Sequence, residues 1–440
     1  MYNQMQNESS YEDDDKLEIC KECNRASLYC KSRYFKRNFK NWTSNNKQID
    51  KFIQDTQLSA HRDYEESDAL RWITYDKFHN IEYIAKGGFG KVYRANWIDE
   101  NLIDKNKVVA LKSLNNSKNV TSEFMSEVIF HHKVCKGFVD FNIIKFYGIT
   151  QDPETKNYMM VLDYAENGNL RNYLNKINVK LSLKNKINDL WCIAFGLKHI
   201  HNNELIHRDL HIGNILHTGG SGIYITDLGL CKPADCNISK NLYGVLPYVA
   251  PEILRGQNYT KAADIYSFGI IMYEVISELP PYYDVAHDEN LALKICKGFR
   301  PRFNIKVPLL IVRLIKRCLD ANSSNRPTAE EIDEILFQWW YPYEDSSELD
   351  EQIKKADEIN NKLSINNLRS TNLGLSYETH TEATYTSRLL SFNNLPSPKN
   401  SDDYYDQDDN IISLKFSESL QIDISWLKIN ESDHINDEFR

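Results

Sequence analysis

The sequence lacks any long hydrophobic run, and its beginning is polar. The first fifteen residues end in four consecutive acids, Glu12 to Asp15, where an export signal would carry an apolar core. No stretch approaches the roughly 20 apolar residues that a membrane-spanning helix needs. We therefore expect an intracellular protein with no membrane span, located in the cytoplasm or alternatively in the nucleus.

Cysteine is also scarce, and basic charge is not in excess. Nine cysteines are scattered over 440 residues, which predicts reduced thiols rather than a disulfide scaffold. The net charge is −9, and residues 401–440 contribute eleven acids against three bases, so the rest of the chain is nearly neutral. A nucleic-acid-binding protein would need a basic surface, so nucleic acid is not expected among the partners.

Glycine and proline are few, at 17 and 12 residues, which excludes collagen-like and low-complexity chains. Apolar residues make up 41% of the sequence and aromatic residues 12%, which is enough to bury a large core. The length of the chain fits roughly two to four domains, or one two-lobed enzyme with tails.

The residue pattern divides the chain into three parts. Residues 1–77 combine cysteines with apolar positions at helical spacing, at Ile49–Ile53 and Ala69–Ile73, and are expected to form an N-terminal extension with short helices. Residues 78–340 begin with short β-branched runs and end with long helical periods, which indicates an α+β fold of two lobes around a cleft. Residues 341–440 are expected to be a mostly disordered acidic tail with one amphipathic helix at Leu349–Leu363. The expected strands are Ile81–Ala85, Val92–Trp97, Val108–Leu111, Ile143–Tyr147 and Tyr158–Leu162, and the helix among them is Ser122–Val134.

A glycine-rich turn and a strand-end lysine predict phosphate binding. Glycines let backbone N–H groups approach phosphate oxygens without a Cβ in the way. Lys112 ends an apolar strand, and Glu127 lies on the next expected helix, where an ion pair would hold the lysine over the phosphates of a nucleotide. Each feature alone also fits a plain turn or two surface charges. The turn reads Gly87, Gly88, Phe89 and Gly90.

A second cluster predicts phosphoryl transfer. Asp209 and Asn214 lie in one short loop after a predicted helix, and Asp227 ends a later strand. An aspartate can accept the proton of an attacking hydroxyl, whereas an asparagine amide oxygen and a second aspartate can hold Mg²⁺.

In this order and spacing, the segments His207–Asn214, Asp227–Gly229 and Ala250–Glu252 closely resemble those of the eukaryotic protein kinases. The resemblance covers about residues 78–340 and implies the two-lobed kinase fold. The residues at Tyr158–Gly168 and Pro247–Glu252 look most like the tyrosine-kinase-like branch, and the flanks are similar to those of a large fungal expansion of such kinases.

The resemblance implies a role for each matching residue. Lys112, paired with Glu127, would orient the phosphates of ATP. Asp209 would be the catalytic base, and Asn214 and Asp227 would bind Mg²⁺. The glycine-rich turn Gly87–Gly90 would cover the phosphates. The adenine ring would be enclosed by a gatekeeper, a hinge and apolar side chains of both lobes, namely Ile84, Val92, Ala110, Leu162, Asp163, Ala165 and Leu216.

The resemblance also implies structural and regulatory features. Glu252 would pair with Arg326, and Asp264 would brace the catalytic loop. An upstream activating kinase is an expected partner; it would phosphorylate the loop before Glu252, mainly at Ser239 and secondarily at Tyr243. The alternative is a loop that packing keeps ordered without phosphate.

Four positions depart from the kinase pattern. The first glycine of the glycine-rich motif is Ala85, and the phenylalanine expected after Asp227 is Leu228; both are mild changes. The lysine that serine/threonine kinases place two residues after the catalytic aspartate is His211, and the threonine after Gly244 is Val245. The arginine that tyrosine kinases use instead falls at Gly213. A protonated His211 would replace part of the missing charge at the γ-phosphate.

The favoured function is ATP- and Mg²⁺-dependent phosphorylation of a protein substrate, on serine or threonine rather than tyrosine, in intracellular signalling. The alternative from another class is a pseudokinase-like scaffold that binds ATP with weak or no catalysis. The retention of five residues favours the enzyme, because a scaffold has no need of them all: Lys112, Glu127, Asp209, Asn214 and Asp227.

Three cysteines near the N-terminus have part of a zinc-binding pattern. Cys20 and Cys23 have metal-ligand spacing and Cys30 follows, but the fourth ligand expected at position 33 is Arg33, and the nearest histidine is His61. We therefore expect free thiols rather than a closed zinc site.

Overall fold

The computed structural model describes most of the chain, with gaps. The Gly87–Phe89 turn, Ser239 and the acidic residues 402–440 lie outside the described residues. The described residues are 20, 21, 23, 24, 30–86, 90–99, 105–114, 117–137, 140–176, 181–219, 222–233, 242–342, 348–368 and 378–401.

The N-terminal extension folds into two helices, α1 (Lys31–Asn38) and α2 (Lys47–Leu58). Asn46 caps α2, because its side-chain oxygen accepts hydrogen bonds from the backbone N–H groups of Gln48 and Ile49. The predicted helix at Ile49–Ile53 is thus confirmed. The helix predicted at Ala69–Ile73 is wrong: that segment contains strand β1 (Arg71–Trp72), which pairs in parallel with a later strand.

A six-stranded sheet forms the N-terminal lobe, in the order β1-β5-β6-β4-β3-β2. One helix, α3 (Ser122–Cys135), connects β4 to β5. Each predicted strand appears, although the fourth starts at Phe146 rather than Ile143, because Ile143 bridges to Ile225 in the other lobe. The remaining strands of the sheet are β2 (Phe78–Lys86), β3 (Gly90–Ile98), β4 (Asn106–Leu114), β5 (Phe146–Gln151) and β6 (Tyr158–Asp163).

Helices form most of the C-terminal lobe, whose largest apolar cluster surrounds α5 and α7. The α+β, two-lobed fold predicted from the sequence is therefore present. The lobe contains α4 (Leu170–Lys176), α5 (Leu183–Asn202), α6 (Pro251–Leu254), α7 (Lys261–Ser277), α8 (Glu289–Cys296), α9 (Leu309–Cys318), α10 (Ala329–Trp340) and the strand pairs β7 (Leu205–Ile206) with β10 (Lys232–Pro233) and β8 (Ile215–His217) with β9 (Ile223–Ile225).

Two stretches of the expected tail pack on the helical lobe. Helix α11 (Glu348–Leu368) covers the amphipathic segment predicted there, with Leu349 and Ala356 buried. Residues 378–401 run along the same lobe and add strand β12 (Arg388–Leu390), which pairs with β11 (Leu242–Gly244). The expectation of a mostly disordered tail does not describe these two stretches, because their apolar side chains find a packing surface; the domain boundaries at 77 and 340 stay predictions. Among the described helices, none is both long and apolar enough to cross a membrane.

Candidate active site

Lys112 joins two carboxylates at the centre of the cleft. It lies on β4, and its Nζ is 2.6 Å from Glu127 Oε1 on α3 and 2.8 Å from Asp227 Oδ1 after β9. The ion pair predicted between Lys112 and Glu127 is therefore present. Thr121 caps the N-terminus of α3 by accepting a hydrogen bond from the backbone N–H of Phe124, so the helix carrying Glu127 begins at a defined residue.

Burial and charge oppose each other within this triad. Burial alone would lower the pKa of Lys112, but the carboxylates of Asp227 and Glu127 outweigh it and raise that pKa. Burial would likewise raise the pKa of Asp227, yet the adjacent lysine lowers it. The lysine is therefore a permanent cation, and Asp227 carries a negative charge at neutral pH.

The catalytic loop holds Asp209 and Asn214 close together. The amide Nδ2 of Asn214 donates to the backbone carbonyl of Asp209 at 2.9 Å, which leaves the amide oxygen for another ligand. Asp264 on α7 braces the loop from below, because its carboxylate accepts backbone hydrogen bonds from His207 at 2.8 Å and Arg208 at 3.0 Å. The bracing role implied for Asp264 agrees with this geometry.

The Asp209 carboxyl is almost fully buried. Burial, followed by repulsion from Asp227, raises its pKa to about 7. The Ser387 hydroxyl acts in the opposite direction and lowers this pKa. An aspartate poised near neutral pH fits a general base, because such a group is partly ionised and still basic enough to accept a proton.

His211 is buried beside Asp209 and is not protonated at neutral pH. Its Nε2 lies 3.8 Å from Asp209 Oδ2, and its Nδ1 accepts the backbone N–H of Gly213 at 3.1 Å. Burial, then the positive charge of Arg171, lowers the pKa of His211 to about 3. The possibility of a protonated His211, raised by the sequence, is therefore contradicted, because burial disfavours the charged imidazole.

Gly213 fits tightly against the His211 ring. A Cβ at Gly213 would lie 2.7 Å from the ring carbon Cε1 of His211, closer than real side chains approach. An arginine at this position would have to displace the imidazole. Val245 occupies the position where serine/threonine kinases have a threonine after the glycine. Its side chain is buried and offers no hydroxyl.

Most of the residues expected to enclose adenine lie on neighbouring strands of the N-terminal sheet. Val92 on β3 is opposite Lys112, and Ala110 on β4 is opposite the gatekeeper position Leu162 on β6. Leu162 is buried. In the C-terminal lobe, Leu216 on β8 forms an antiparallel β-bridge with Asn169.

Three of the other expected residues differ in their surroundings. Ile84 at the end of β2 is half exposed, and Ala165 is buried. Asp163 lies at the end of β6, and its carboxylate pairs with Lys107 at 3.2 Å. The structure thus places five of these residues in one sheet, and their role in binding adenine stays a prediction. Gly87, Gly88 and Phe89 lie outside the described residues, and Gly90 begins β3.

Buried charge pairs stabilise the part of the C-terminal lobe below the cleft. Arg326 donates two hydrogen bonds to Glu252, at 2.6 and 2.7 Å, as the sequence analysis predicts. Arg171 on α4 pairs with Glu274 on α7 at 2.6 Å and donates to the Tyr248 hydroxyl at 2.8 Å. No sequence pattern indicates the role of Arg171, because its partners lie far away along the chain.

Comparison with known proteins identifies the family to which the chain belongs. Residues 78–336 match the family described as protein tyrosine and serine/threonine kinase. A putative serine/threonine-protein kinase/receptor of Acanthamoeba polyphaga mimivirus is 30% identical over 265 residues, which are 60% of this chain and 16% of that protein. A probable serine/threonine-protein kinase of Dictyostelium discoideum is 28% identical over 277 residues, 61% of this chain and 20% of the relative. A serine/threonine/tyrosine-protein kinase of Arabidopsis thaliana is 28% identical over 261 residues, 57% of this chain and 64% of the relative. The chain thus spans less than two thirds of the length of each of these relatives.

Proposed function

Because the chain belongs to the protein tyrosine and serine/threonine kinase family, we propose that it transfers the γ-phosphate of ATP to a hydroxyl of a protein substrate, on serine or threonine rather than tyrosine. The observation that carries this proposal is the simultaneous contact of Lys112 with Glu127 and Asp227. This contact connects β4, α3 and the strand end that follows the catalytic loop. A chain that only needed to fold would gain little from burying three charges together.

The donor set at Asn214 and Asp227 fits a magnesium ion. Mg²⁺ prefers oxygen ligands, commonly one or two protein groups completed by substrate phosphates. The amide nitrogen of Asn214 is engaged with the Asp209 carbonyl, so its oxygen is the free end of the group. Lys112 and the backbone N–H of Gly229 both contact Asp227 Oδ1, so Oδ2 is the oxygen left for a metal. When bound, the ion would neutralise charge on the phosphates of ATP.

The remaining residues supply orientation and proton transfer. Lys112 would hold the α- and β-phosphates, and Glu127 fixes the direction of its side chain. Asp209 would accept the proton of the attacking hydroxyl, since its raised pKa makes it basic enough near neutral pH. Neutral His211 adds no charge at the γ-phosphate, so positioning and the Lys112 cation carry that part of catalysis.

The preference for serine or threonine rests on the surroundings of the catalytic loop. Tyrosine kinases place an arginine where this chain has Gly213, and the His211 ring fills the space that such a side chain would need. Membership of the tyrosine-kinase-like branch, and of a fungal expansion within it, is part of the same proposal and is supported by the resemblance at Tyr158–Gly168. A cytoplasmic location, or alternatively a nuclear one, is also proposed; it is supported by the described cysteines, which form no disulfide with one another.

The proposal is tested by replacing the base. Asp209→Asn should lower phosphate transfer to a library of serine, threonine and tyrosine peptides by about 10²- to 10⁴-fold, while ATP affinity stays nearly unchanged. Asp76→Asn is the matched control, because Asp76 is exposed on the surface of the N-terminal lobe. Equal transfer by wild type and Asp209→Asn would contradict the enzyme. Wild type that binds ATP without any transfer would support the pseudokinase-like scaffold instead.

A further inference from the structure

Residues 378–401 cross the face of the catalytic site as an added strand. Strand β12 pairs antiparallel with β11 of the loop before Glu252, with Leu242 opposite Leu390, Tyr243 opposite Leu389 and Gly244 opposite Arg388. A Cβ built on Gly244 would lie 3.8 Å from Asp209 Oδ1, so this pairing takes place next to the catalytic base. Strand addition of this kind is a common mode of peptide recognition.

Contacts with the C-terminal lobe fix the residues before β12 in the groove beside the catalytic base. The Tyr385 ring packs against the Arg171 guanidinium, 4.3 Å from its centroid, and the Tyr385 hydroxyl donates to the Pro281 carbonyl at 3.0 Å. The backbone N–H of Thr384 donates to His287 Nδ1 at 3.0 Å, and Arg388 donates to the His287 carbonyl. Ser387 lies between these anchors.

The chain after β12 is anchored as well. Leu390 and Leu395 are buried against the helical lobe. Arg255 donates to the Leu395 carbonyl at 3.2 Å, and the Lys399 backbone N–H donates to the Cys296 carbonyl at 3.0 Å. Contacts on both sides therefore fix the position of Ser387 along the groove.

The Ser387 hydroxyl lies near the catalytic base. Its oxygen is buried and has no hydrogen-bond partner of ordinary geometry among the described residues. It is nevertheless near enough to the Asp209 carboxylate to lower the pKa of that group. A hydroxyl beside a general base is in position to lose its proton to that base when it attacks, so this position fits a reacting group.

We propose that Ser387 is an intramolecular phosphoacceptor of this protein. The proposal rests on the proposed kinase function. In the reaction, Ser387 Oγ forms a bond to the γ-phosphorus of ATP, the bond from that phosphorus to the β–γ bridging oxygen breaks, and ADP leaves. Asp209 takes the hydroxyl proton. Because β12 already holds the acceptor beside the base, the reaction needs no encounter between two chains.

The product has a predictable effect on the groove. A phosphoserine carries about −1.5 to −2 charges and would face the carboxylates of Asp209 and Asp227. The repulsion would release residues 378–401 and open the groove to other substrates. One phosphorylation event would thus convert an occupied site into an accessible one.

The experiment uses the full chain after phosphatase treatment, incubated with ATP and Mg²⁺ and mapped by mass spectrometry. Ser387 should become phosphorylated at a rate per chain that does not change on dilution. Ser387→Ala should lose this phosphate, and Ser391→Ala, at an exposed neighbour, should keep it. In a mixture, wild type should leave Ser387 of an Asp209→Asn chain unmodified.

The failures of the two proposals can be told apart by adding a peptide library to the same reactions. Transfer to added peptides with Ser387 unmodified would overturn the phosphoacceptor and leave the kinase intact. A rate that rises with chain concentration would overturn the intramolecular reaction. No transfer to either target would overturn both proposals.

A separate observation concerns the N-terminal cysteines. Cys20, Cys23, Cys30 and His61 present one ligand atom each, and these four atoms lie within 4.8 Å of one another. His61 Nδ1 is 3.7 Å from Cys20 Sγ and 3.5 Å from Cys30 Sγ. With zinc bonds of about 2.3 Å to sulfur and 2.0–2.1 Å to nitrogen, a tetrahedral site requires about 3.6 Å between S and N.

The surrounding chain holds these residues in place. The Asn24 backbone N–H donates to the Cys20 carbonyl at 2.8 Å, which closes the turn between the first two cysteines. The His61 backbone is fixed on both sides, since its N–H donates to Glu65 Oε2 at 2.7 Å and its carbonyl accepts from Lys31 N–H at 3.3 Å. The expectation of free thiols assumed a ligand at position 33, whereas folding brings a histidine from beyond α2.

From this geometry we infer that Cys20, Cys23, Cys30 and His61 form a structural zinc site. The metal would tie the start of α1, directly after Cys30, to the chain just beyond the end of α2. Ala60 next to His61 is buried with Phe35 in a small apolar cluster, so the two helices already pack there. Four protein ligands leave no open position, which fits structure rather than catalysis.

Elemental analysis of the full chain, purified without added metal, should give one zinc per chain. His61→Ala and Cys30→Ser should lose the metal, whereas His79→Ala and Cys135→Ser, which change residues outside the cluster, should retain it. If a ligand variant fails to fold, Co²⁺ bound to wild type decides the matter: its spectrum should show tetrahedral thiolate ligation. Absence of zinc from wild type, or full zinc content in His61→Ala, would overturn this site.

Discussion

The ring of Phe52 in α2 meets the imidazole of His132 in α3 edge-on, with ring centroids 5.8 Å apart. His132 also donates from Nε2 to the Asp68 carbonyl at 2.9 Å, so the extension contacts this helix at two points. Helix α3 carries Glu127, which holds Lys112. The N-terminal extension therefore supports the helix on which the catalytic ion pair depends.

A core substitution in the extension should weaken both the fold and the activity. Ile53 is fully buried in one cluster with Phe124 and Val128 of α3. Ile53→Ala should lower the free energy of unfolding by about 2–5 kcal/mol, because it leaves a cavity between the two helices. Phosphate transfer should also fall at temperatures where the variant remains folded. Lys51→Ala, at an exposed position of the same helix, is the control for denaturant unfolding and peptide assays. Unchanged activity in folded Ile53→Ala would show that α3 holds its position without the extension.

Replacing the central lysine should weaken nucleotide binding and transfer together. Lys112→Met removes the cation that pairs with Glu127 and Asp227 and leaves two buried carboxylates facing each other. ATP affinity measured by calorimetry and turnover should both decrease, in contrast to Asp209→Asn, which should lower only turnover. Lys118→Met, at an exposed position, should behave as wild type. Wild-type ATP affinity in Lys112→Met would refute the role of this lysine in holding phosphates.

Much of the fold and the active-site cleft could be predicted from the sequence. The strands and α3 follow from local alternation and helical spacing, and the motifs place Lys112, Glu127 and Asp227 in one cleft because their spacing matches a known fold. Local patterns also gave one wrong prediction, because Ala69–Ile73 has the spacing of a helix but contains strand β1. A Cβ at Gly148 would lie 2.0 Å from the Arg71 carbonyl, so this pairing depends on a distant glycine.

The remaining features depend on contacts between residues that are distant along the chain. His61 reaches the cysteines only because α1 and α2 fold back on each other, and no spacing rule relates it to Cys20. Ser387 reaches Asp209 only because β12 pairs with β11. The sequence could not predict the charge state of His211 either, since that state depends on burial and on the charge of Arg171.

Activity should depend on pH through Asp209. The raised pKa of about 7 means that the base becomes protonated as pH falls below neutrality, so kcat/KM for peptide phosphorylation should decrease there. The groups facing it are Asp227, His211 and Ser387; His211, with a pKa of about 3, stays neutral across this range. The acidic decrease should therefore persist in His211→Gln. A profile that is flat from pH 5 to about 8 would contradict a base with a raised pKa.

Stability should show the opposite dependence on pH. Because the folded pKa of Asp209 exceeds its ordinary value of 3.8, the fold favours the protonated carboxyl and loses stability as pH rises towards about 7. Asp209→Asn keeps a neutral group and should lack this loss. Thermal unfolding of the two proteins at acidic and neutral pH measures the difference: the variant should gain stability relative to wild type as pH rises. A constant difference at every pH would assign the raised pKa to another group.

Removing the buried arginine below the cleft should be strongly destabilising. The Arg326 side chain is fully buried and makes two hydrogen bonds to Glu252, so Arg326→Ala leaves an unpaired buried carboxylate. The expected loss is about 3–5 kcal/mol in the free energy of unfolding. Arg317→Ala is the matched control, because its ion pair with Glu331 is nearly half exposed and should cost about 0–1 kcal/mol. Denaturant unfolding of both variants measures the difference, and equal losses would mean that the Glu252 carboxylate finds water or another donor once Arg326 is gone.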